Sequence, residues 1–250
     1  MIREPFALGR SWVHRIDPRH RVVGAVAFTA LVAVSHNFLT LTAALALALA
    51  TTGLAHLDTR EVFRRLFGPG LFLMLIWLVL PWSLEGPPLA RIGPITLSRP
   101  GVALCAEISL KTVGLLLIFM ALVATMTLDT LGHTLSRLRL PDKLVYLMLI
   151  TYRYLFVIEQ EYQRLMRAIR IRNFRAGTDL HSYRTYAYLV GMIFVRASER
   201  ARRVHGAMVC RGFCGRFISL RQYPSSPNNR FFAAGLVFSL GVLAYLEWSN

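Results

Sequence analysis

The chain is short of acid. Its 250 residues hold 13 Asp and Glu against 29 Lys and Arg, a formal net charge of +16. Cysteine is scarcer still. Cys105, Cys210 and Cys214 are odd in number and too few for a disulfide framework. The Cys210–Cys214 spacing is not that of a zinc ribbon, which leaves buried free thiols as the plain reading. No G-x-x-x-x-G-K-[ST] loop occurs, so the chain has no Walker A means of holding ATP. Nor is there an H-E-x-x-H pair or a Ser/His/Asp spacing for a membrane hydrolase. The seven histidines (His14, His20, His36, His56, His133, His181 and His205) invite a metal reading, with His205 near the two late cysteines. Positions i and i+5 share a helix face poorly, and no second pair completes a tetrahedral set. The expectation is a non-catalytic chain with no cofactor and no resident metal.

What the chain has in excess is apolar residue. Hydrophobic residues make up 55%, and the mean hydropathy is +0.47. A soluble chain this basic would suggest nucleic acid. Here the apolar content points to a membrane instead, and no nucleic-acid partner is expected. Five apolar runs stand out, at 22–34, 39–55, 66–82, 101–126 and 231–248. Several approach the roughly 20 residues that a spanning helix needs. The first is short, with Gly24 and Ser35 weakening it. Backbone polar groups in lipid must bond internally, so such runs are read as helices. No small-residue cleavage site follows the first run, which argues against a cleaved signal peptide. The expected fold is an all-α membrane protein of about five transmembrane helices, with long crossing cytoplasmic helices.

Charge orients the spans. With the N-terminus inside, residues 1–21, 56–65 and 128–230 are cytoplasmic and hold 5, 3 and 18 of the 29 basic residues. The outer connections keep only Arg91 and Arg99, and Lys111 lies within the fourth run. That is the positive-inside pattern. The organisation follows: 1–127 with four spans, 128–222 as a cytoplasmic region, and 223–250 as a return linker and last span. Inside the fourth run, Glu107 and Lys111 stand at i and i+4 with the acid first, the favoured order. An intramembrane charge is a functional candidate by default, and a self-neutralising structural pair is the plainer reading. Asp17 and Pro18 read as an entry turn. Trp77, Trp82 and Trp248 read as interfacial belt residues.

Residues 128–222 carry most of the information. A short helix from about 128 closes before Pro141. The next stretch, "DKLVYLMLITYRYLFVIEQEYQRLMRAIRIRNF", runs without proline or glycine, on the order of 45 Å of helix. It grades from apolar to basic. A second long helix follows from about 180, grades the same way, and is ended by Gly212 and Gly215. The two ends echo each other. "AIRIRNF" (168–174) and "AMVCRGF" (207–213) place alanine (Ala168, Ala207), arginine (Arg172, Arg211) and phenylalanine (Phe174, Phe213) in register. Before the second end lie Arg196, Arg200, Arg202 and Arg203. They cannot all enter one groove, so most are expected on a solvated or headgroup-facing side.

Three stretches carry a family resemblance: "HRIDPRHRVV" (14–23), "RYLFVIEQEYQRLMRAIRIRNF" (153–174) and "FVRASERARRVHGAMVCRGFCGRF" (194–217). The chain resembles the transmembrane T component of energy-coupling factor importers, cobalt type, CbiQ-like. The family's usual Ala-Arg-Gly tips stand here as Ile171-Arg172-Asn173 and Cys210-Arg211-Gly212. The resemblance implies a coupling subunit in a prokaryotic inner membrane, with the N-terminus cytoplasmic. It implies two ABC ATPase subunits and a substrate-capture membrane subunit as partners, besides membrane lipid, with ATP hydrolysis in the ATPases. Docking to the ATPases would fall to Arg172, Arg211, Ala168, Ala207, Gly212, Phe174 and Phe213, and the cargo would be cobalt ion. Nickel or a vitamin is the alternative cargo. A scaffold whose arginines meet anionic lipid is the alternative role.

Overall fold

A computed structural model describes residues 16–84, 87–92, 95–138, 140–213, 215 and 227–248. Cys214, Arg216 and most of the return linker lie outside them. Among the described residues the chain forms α1 (Pro18–Val34), α2 (Phe38–Leu54), α3 (Thr59–Ser83), β1 (Pro88–Ile92), β2 (Ile95–Ser98), α4 (Arg99–Leu122), α5 (Leu128–Arg137), α6 (Asp142–Ile171), α7 (Leu180–Cys210) and α8 (Pro227–Trp248). The helices agree with the all-α expectation, and the short strand pair is an addition confined to one connection. The third-to-fourth connection is an antiparallel hairpin pairing Ile92 with Ile95 and Arg91 with Thr96. β-branched Ile92, Ile95 and Thr96 flank Gly93-Pro94 in the sequence, a turn signal between two strand-favouring ends.

Caps set the helix starts. Asp17 accepts from the Arg19 amide at 3.0 Å, with Pro18 at the first helical position. Its own amide donates to Asn229 Oδ1 at 3.0 Å, which ties the start of α1 to the first turn of α8. Asn37, Asp58 and Ser98 cap α2, α3 and α4 in the same way. The fourth apolar run stops being helical at Leu122 rather than at 126. There the Phe119 carbonyl accepts from both Val123 (2.9 Å) and Ala124 (3.0 Å), which closes the helix. The chain divides into two compact units, one within 132–221 and one built from the residues on either side.

In the flanking unit α4 is the hub, packed by α1, α2 and α3. Its partners approach closely because small residues line the seams. Ala44 and Ala48 of α2 are buried, and a Cβ on Gly114 of α4 would lie 4.0 Å from Leu45 Cα. Small residues at i and i+4 are how helices pack where lipid removes the hydrophobic drive between them. Gly24 does the same for α1 and α8: a Cβ there would overlap Leu236 Cδ1. Arg21 is buried at 2% exposure and donates to Thr125 Oγ1, just past the C-terminal end of α4. The free carbonyls of a helix end favour a cation there. By contrast α3 buries only Val62 and Pro81, leaving Phe63, Phe67, Phe72 and Leu78 exposed. α3 and α4, of 25 and 24 residues, are long and apolar enough to cross a bilayer; α1 and α2 have 17 each.

Candidate functional site

The unit within 132–221 is built on α6 and α7, helices of 30 and 31 residues. Gly132 of α5 lets that helix lie close on α6, since a Cβ there would stand 2.5 Å from Leu149 Cδ2. α6 and α7 run antiparallel. Phe213, just past the end of α7, stacks on Tyr146 near the start of α6, with centroids 5.6 Å apart. At the other end Phe174, past α6, meets Tyr186 of α7 edge-on at 5.7 Å.

The two helix ends are the same structure. At the end of α6, Arg172 occupies the cap position. Asn173 turns left-handed at φ +62, and the Phe174 amide reaches back to the Ile169 carbonyl at 3.2 Å. The Asn173 amide donates to Arg170 at 3.0 Å. At the end of α7, Arg211 is the cap residue and Gly212 turns left-handed at φ +79. Phe213 donates to Met208 at 3.1 Å and Gly212 to Val209 at 2.9 Å. Both are Schellman closures, which need one residue at positive φ after the cap. Glycine supplies it freely, and asparagine is among the side chains that tolerate it. The sequence echo is therefore a duplicated cap with an arginine at the same position in each. Arg172 and Arg211 are exposed, as are Ala168 and Ala207 one turn earlier on the same face. Each arginine thus projects beside a methyl-sized surface at the negative end of a helix. Because Phe213 lies at Tyr146, the two tips stand apart by about the length of α6 from there to its end, roughly 40 Å.

Among the described residues, an ionic bridge crosses between the helices. Arg196 Nη1 of α7 donates to Glu161 Oε1 of α6, whose other oxygen lies 3.7 Å from Arg164. Glu161 is buried at 8% exposure. The Arg196 hydrogen bond, with the Arg164 and Arg200 charges behind it, holds the Glu161 carboxyl below the usual carboxylate range despite burial. Arg196 is exposed, as expected for the solvated set, and in addition bridges to Glu161. Its role depends on the register of two helices 35 positions apart in the chain, which spacing within α7 does not reveal. Arg202 and Arg203 are exposed, as expected.

In the flanking unit Lys111 Nζ lies 2.8 Å from Glu107 Oε1 and donates to the Ala33 carbonyl at 3.2 Å. His36 Nδ1 is 2.9 Å from the same Glu107 oxygen, and the His36 amide donates to Glu247 Oε1 at 2.9 Å. The network joins the α1–α2 turn, α4 and the last turn of α8. Sequence reading found the Glu107–Lys111 spacing and missed His36 and Glu247, which carry no periodic signal.

Comparison with known proteins decides the family. The family model CbiQ, Cobalt transport protein, matches residues 9–223. The chain belongs to the CbiQ family. The resemblance read from residues 14–23, 153–174 and 194–217 is borne out. Among its relatives, the CbiQ-family chain is 31% identical over 237 residues to the energy-coupling factor transporter transmembrane protein EcfT of Bacillus subtilis, covering 86% of this chain and 85% of that one. It is 29% identical over 265 residues to EcfT of Listeria innocua, covering 98% and 96%. The cobalt transport protein CbiQ of Rhodobacter capsulatus is 28% identical over 154 residues, covering 61% and 62%. With α3 and α4 long and apolar enough to span, this CbiQ-family protein is an integral membrane protein.

Proposed function

We propose that the chain is the coupling subunit of an energy-coupling factor importer, taking up cobalt ion, and that Arg172 and Arg211 dock it to two ATPase subunits. The observation that carries this is the duplicated cap: the same arginine, the same left-handed residue and the same phenylalanine at two helix ends roughly 40 Å apart. A guanidinium stays charged and meets a carboxylate through two parallel donors. Ala168 and Ala207 let a partner surface come close, and Phe174 and Phe213 hold each tip to the neighbouring helix. Long helices pass displacement along as rigid elements. A separate membrane subunit would receive that motion and hold the substrate. The family description supports cobalt as cargo, whereas the EcfT relatives are named for the transporter without a substrate.

The same reading takes α1, α2, α3, α4 and α8 as five spans from a cytoplasmic N-terminus, with 1–127 and 223–250 in the membrane and 128–222 facing the cytoplasm. The polar network supports it. Five spans put the α1–α2 turn, the early part of α4 and the end of α8 on the outer side, and these are the segments that Lys111, His36 and Glu247 join. The start of α1 and the end of α4, joined by Arg21 and Thr125, fall on the inner side.

The test is uptake and ATPase copurification from membranes for Arg172→Ala, Arg211→Ala, the double variant and Arg202→Ala. Each tip variant should insert normally and lose transport, and the double variant should lose the ATPases. Removing one partner of a buried charge pair costs about 3–5 kcal/mol. Arg202→Ala should transport like wild type. Equal defects in Arg202→Ala and Arg211→Ala would refute the docking role and favour a diffuse lipid anchor.

A further inference from the structure

The antiparallel register has a chemical consequence. Both long helices grade from apolar to basic along the chain, so pairing them head to tail sets the apolar half of α6 against the arginine-rich half of α7. Between them runs a groove of about 430 Å³. Its α6 wall includes Ile150, Leu155 and Ile158, and its α7 wall carries Arg196, Arg200 and His205. Arg196 is taken by Glu161. Arg200 is half-buried in the groove and makes no hydrogen bond or ion pair among the described residues, feeling Glu161 only at longer range. The groove therefore holds two arginines for one carboxylate. Outside it, Leu144 and Leu147 of α6 and Phe194 and Val195 of α7 are exposed, apolar surface that water does not favour.

We infer that this groove is a binding site for one anionic phospholipid, its acyl chain along the Ile150–Ile158 wall and its phosphate on Arg200. Charge complementarity and shape together select this occupant. A neutral lipid would leave the Arg200 guanidinium without an anion, and a free phosphate would leave the apolar wall bare. Basic pockets between helices of membrane proteins hold anionic headgroups by this chemistry. The lining runs along both helices, from Tyr146 to Glu161 on α6 and from Ile193 to Met208 on α7. The site does not depend on the coupling role: it needs only the isolated chain and lipid.

The experiment is native mass spectrometry of the full chain in neutral detergent, titrated with phosphatidylglycerol or phosphatidylcholine of the same chains. Wild type should retain one phosphatidylglycerol, preferred over phosphatidylcholine by about five-fold, the effect of one basic residue near a headgroup. Arg200→Gln should abolish the preference and keep weak binding of both. Ala201→Trp, which fills the groove without changing charge, should remove both, and Ala197→Trp provides a second filling variant should the first fail to insert. Arg202→Ala, an exposed arginine outside the groove, should bind like wild type. The inference is overturned if Arg202→Ala and Arg200→Gln weaken binding equally, if both tryptophan variants still bind, or if millimolar inorganic phosphate alone displaces the lipid. It is likewise overturned if no lipid binds and Ala201→Trp instead loses a copurifying membrane subunit, which would assign the groove to a partner helix.

Discussion

Replacing Gly212 by alanine isolates what the α7 tip needs. The residue sits at φ +79, and a Cβ built there meets nothing within 4 Å. No steric clash with neighbours enters, so the whole cost is torsional. For an L-residue in the left-handed region that is about 1–2 kcal/mol. If the tip opens instead of bearing the strain, it loses the Phe213–Met208 and Gly212–Val209 hydrogen bonds and lets Phe213 leave Tyr146. Either way the ordered tip falls roughly 5- to 30-fold relative to the opened one. The other tip supplies the control, because Asn173 adopts φ +62 in the same closure. Gly212→Asn should therefore behave nearly as wild type, and Asn173→Ala should be impaired like Gly212→Ala. The assay is affinity of the full chain for the proposed ATPase subunits, with helical content by circular dichroism as the check that α7 is intact. If Gly212→Ala binds like wild type, the closure does not position Arg211. If Gly212→Asn fails as badly as alanine, the partner needs the bare backbone and not the torsion.

Two further perturbations test the frame around the tips. The Glu161 carboxyl titrates below its unfolded value of about 4.3, so the Glu161–Arg196 bridge contributes fully above that pH and is lost as pH falls through the lower folded value. Arg196, Arg164 and Arg200 are the charged groups acting on it. Spin labels at Gln163 and Arg203 should report an unchanged α6–α7 distance from pH 7 down to the unfolded carboxylate value of about 4.3, and a broadened one once the pH has fallen through the lower folded value. Glu161→Gln should broaden it at pH 7. An unbroadened Glu161→Gln distribution would show that packing alone holds the pair. In the flanking unit, Gly24→Ala forces the flexible Leu236 side chain to another rotamer and should destabilise the α1–α8 seam by about 1 kcal/mol. A Cβ on Gly53 meets nothing, so Gly53→Ala should be neutral or stabilising in detergent melts. Leu236→Ala should rescue Gly24→Ala, and a Gly24→Ala protein that melts like wild type would contradict the close approach.

Local signals were legible in the sequence and register was not. Asp17-Pro18, Gly212 and the repeated Arg-x-Phe endings act within one turn of the backbone, and each appears in the structure as a cap. The hairpin at 88–98 was also written locally, in Ile92, Gly93-Pro94 and Ile95, but the strong apolar runs on both sides drew the connection into a purely helical reading. The α4 end was overrun by four residues because apolar Val123 and Met126 prolong the hydropathy signal after Val123 and Ala124 have closed the helix on the Phe119 carbonyl. Arg21, His36, Glu161, Arg196 and Glu247 were beyond reach for another reason. Their partners come from elsewhere in the chain, up to 211 positions away for the His36–Glu247 bond. A charge count registers such residues as surface or as pairs within one helix. Only packing shows that Arg196 is a bridge and that Arg200, four residues on, has no hydrogen-bond partner among the described residues.

The duplicated cap also constrains any partner that engages both tips. Two antiparallel helices with matching ends are related by an approximate two-fold axis perpendicular to the pair. Arg172 and Arg211 exchange under that rotation, as do Ala168 with Ala207 and Phe174 with Phe213. A surface that engages both tips in the same way must itself present two like sites roughly 40 Å apart, related by a matching two-fold. Two copies of one ATPase, or two homologous ones, meet that requirement; a single asymmetric subunit does not. It follows that Arg172→Ala and Arg211→Ala should weaken ATPase binding to a similar degree, and that each single variant should retain one ATPase site. A cysteine at Ala168 should cross-link to one ATPase and a cysteine at Ala207 to the other, through the same ATPase residue. Cross-links from both positions to a single ATPase copy would show that the matching caps do not reflect a two-fold partner, and the symmetry argument would fall with the coupling geometry built on it.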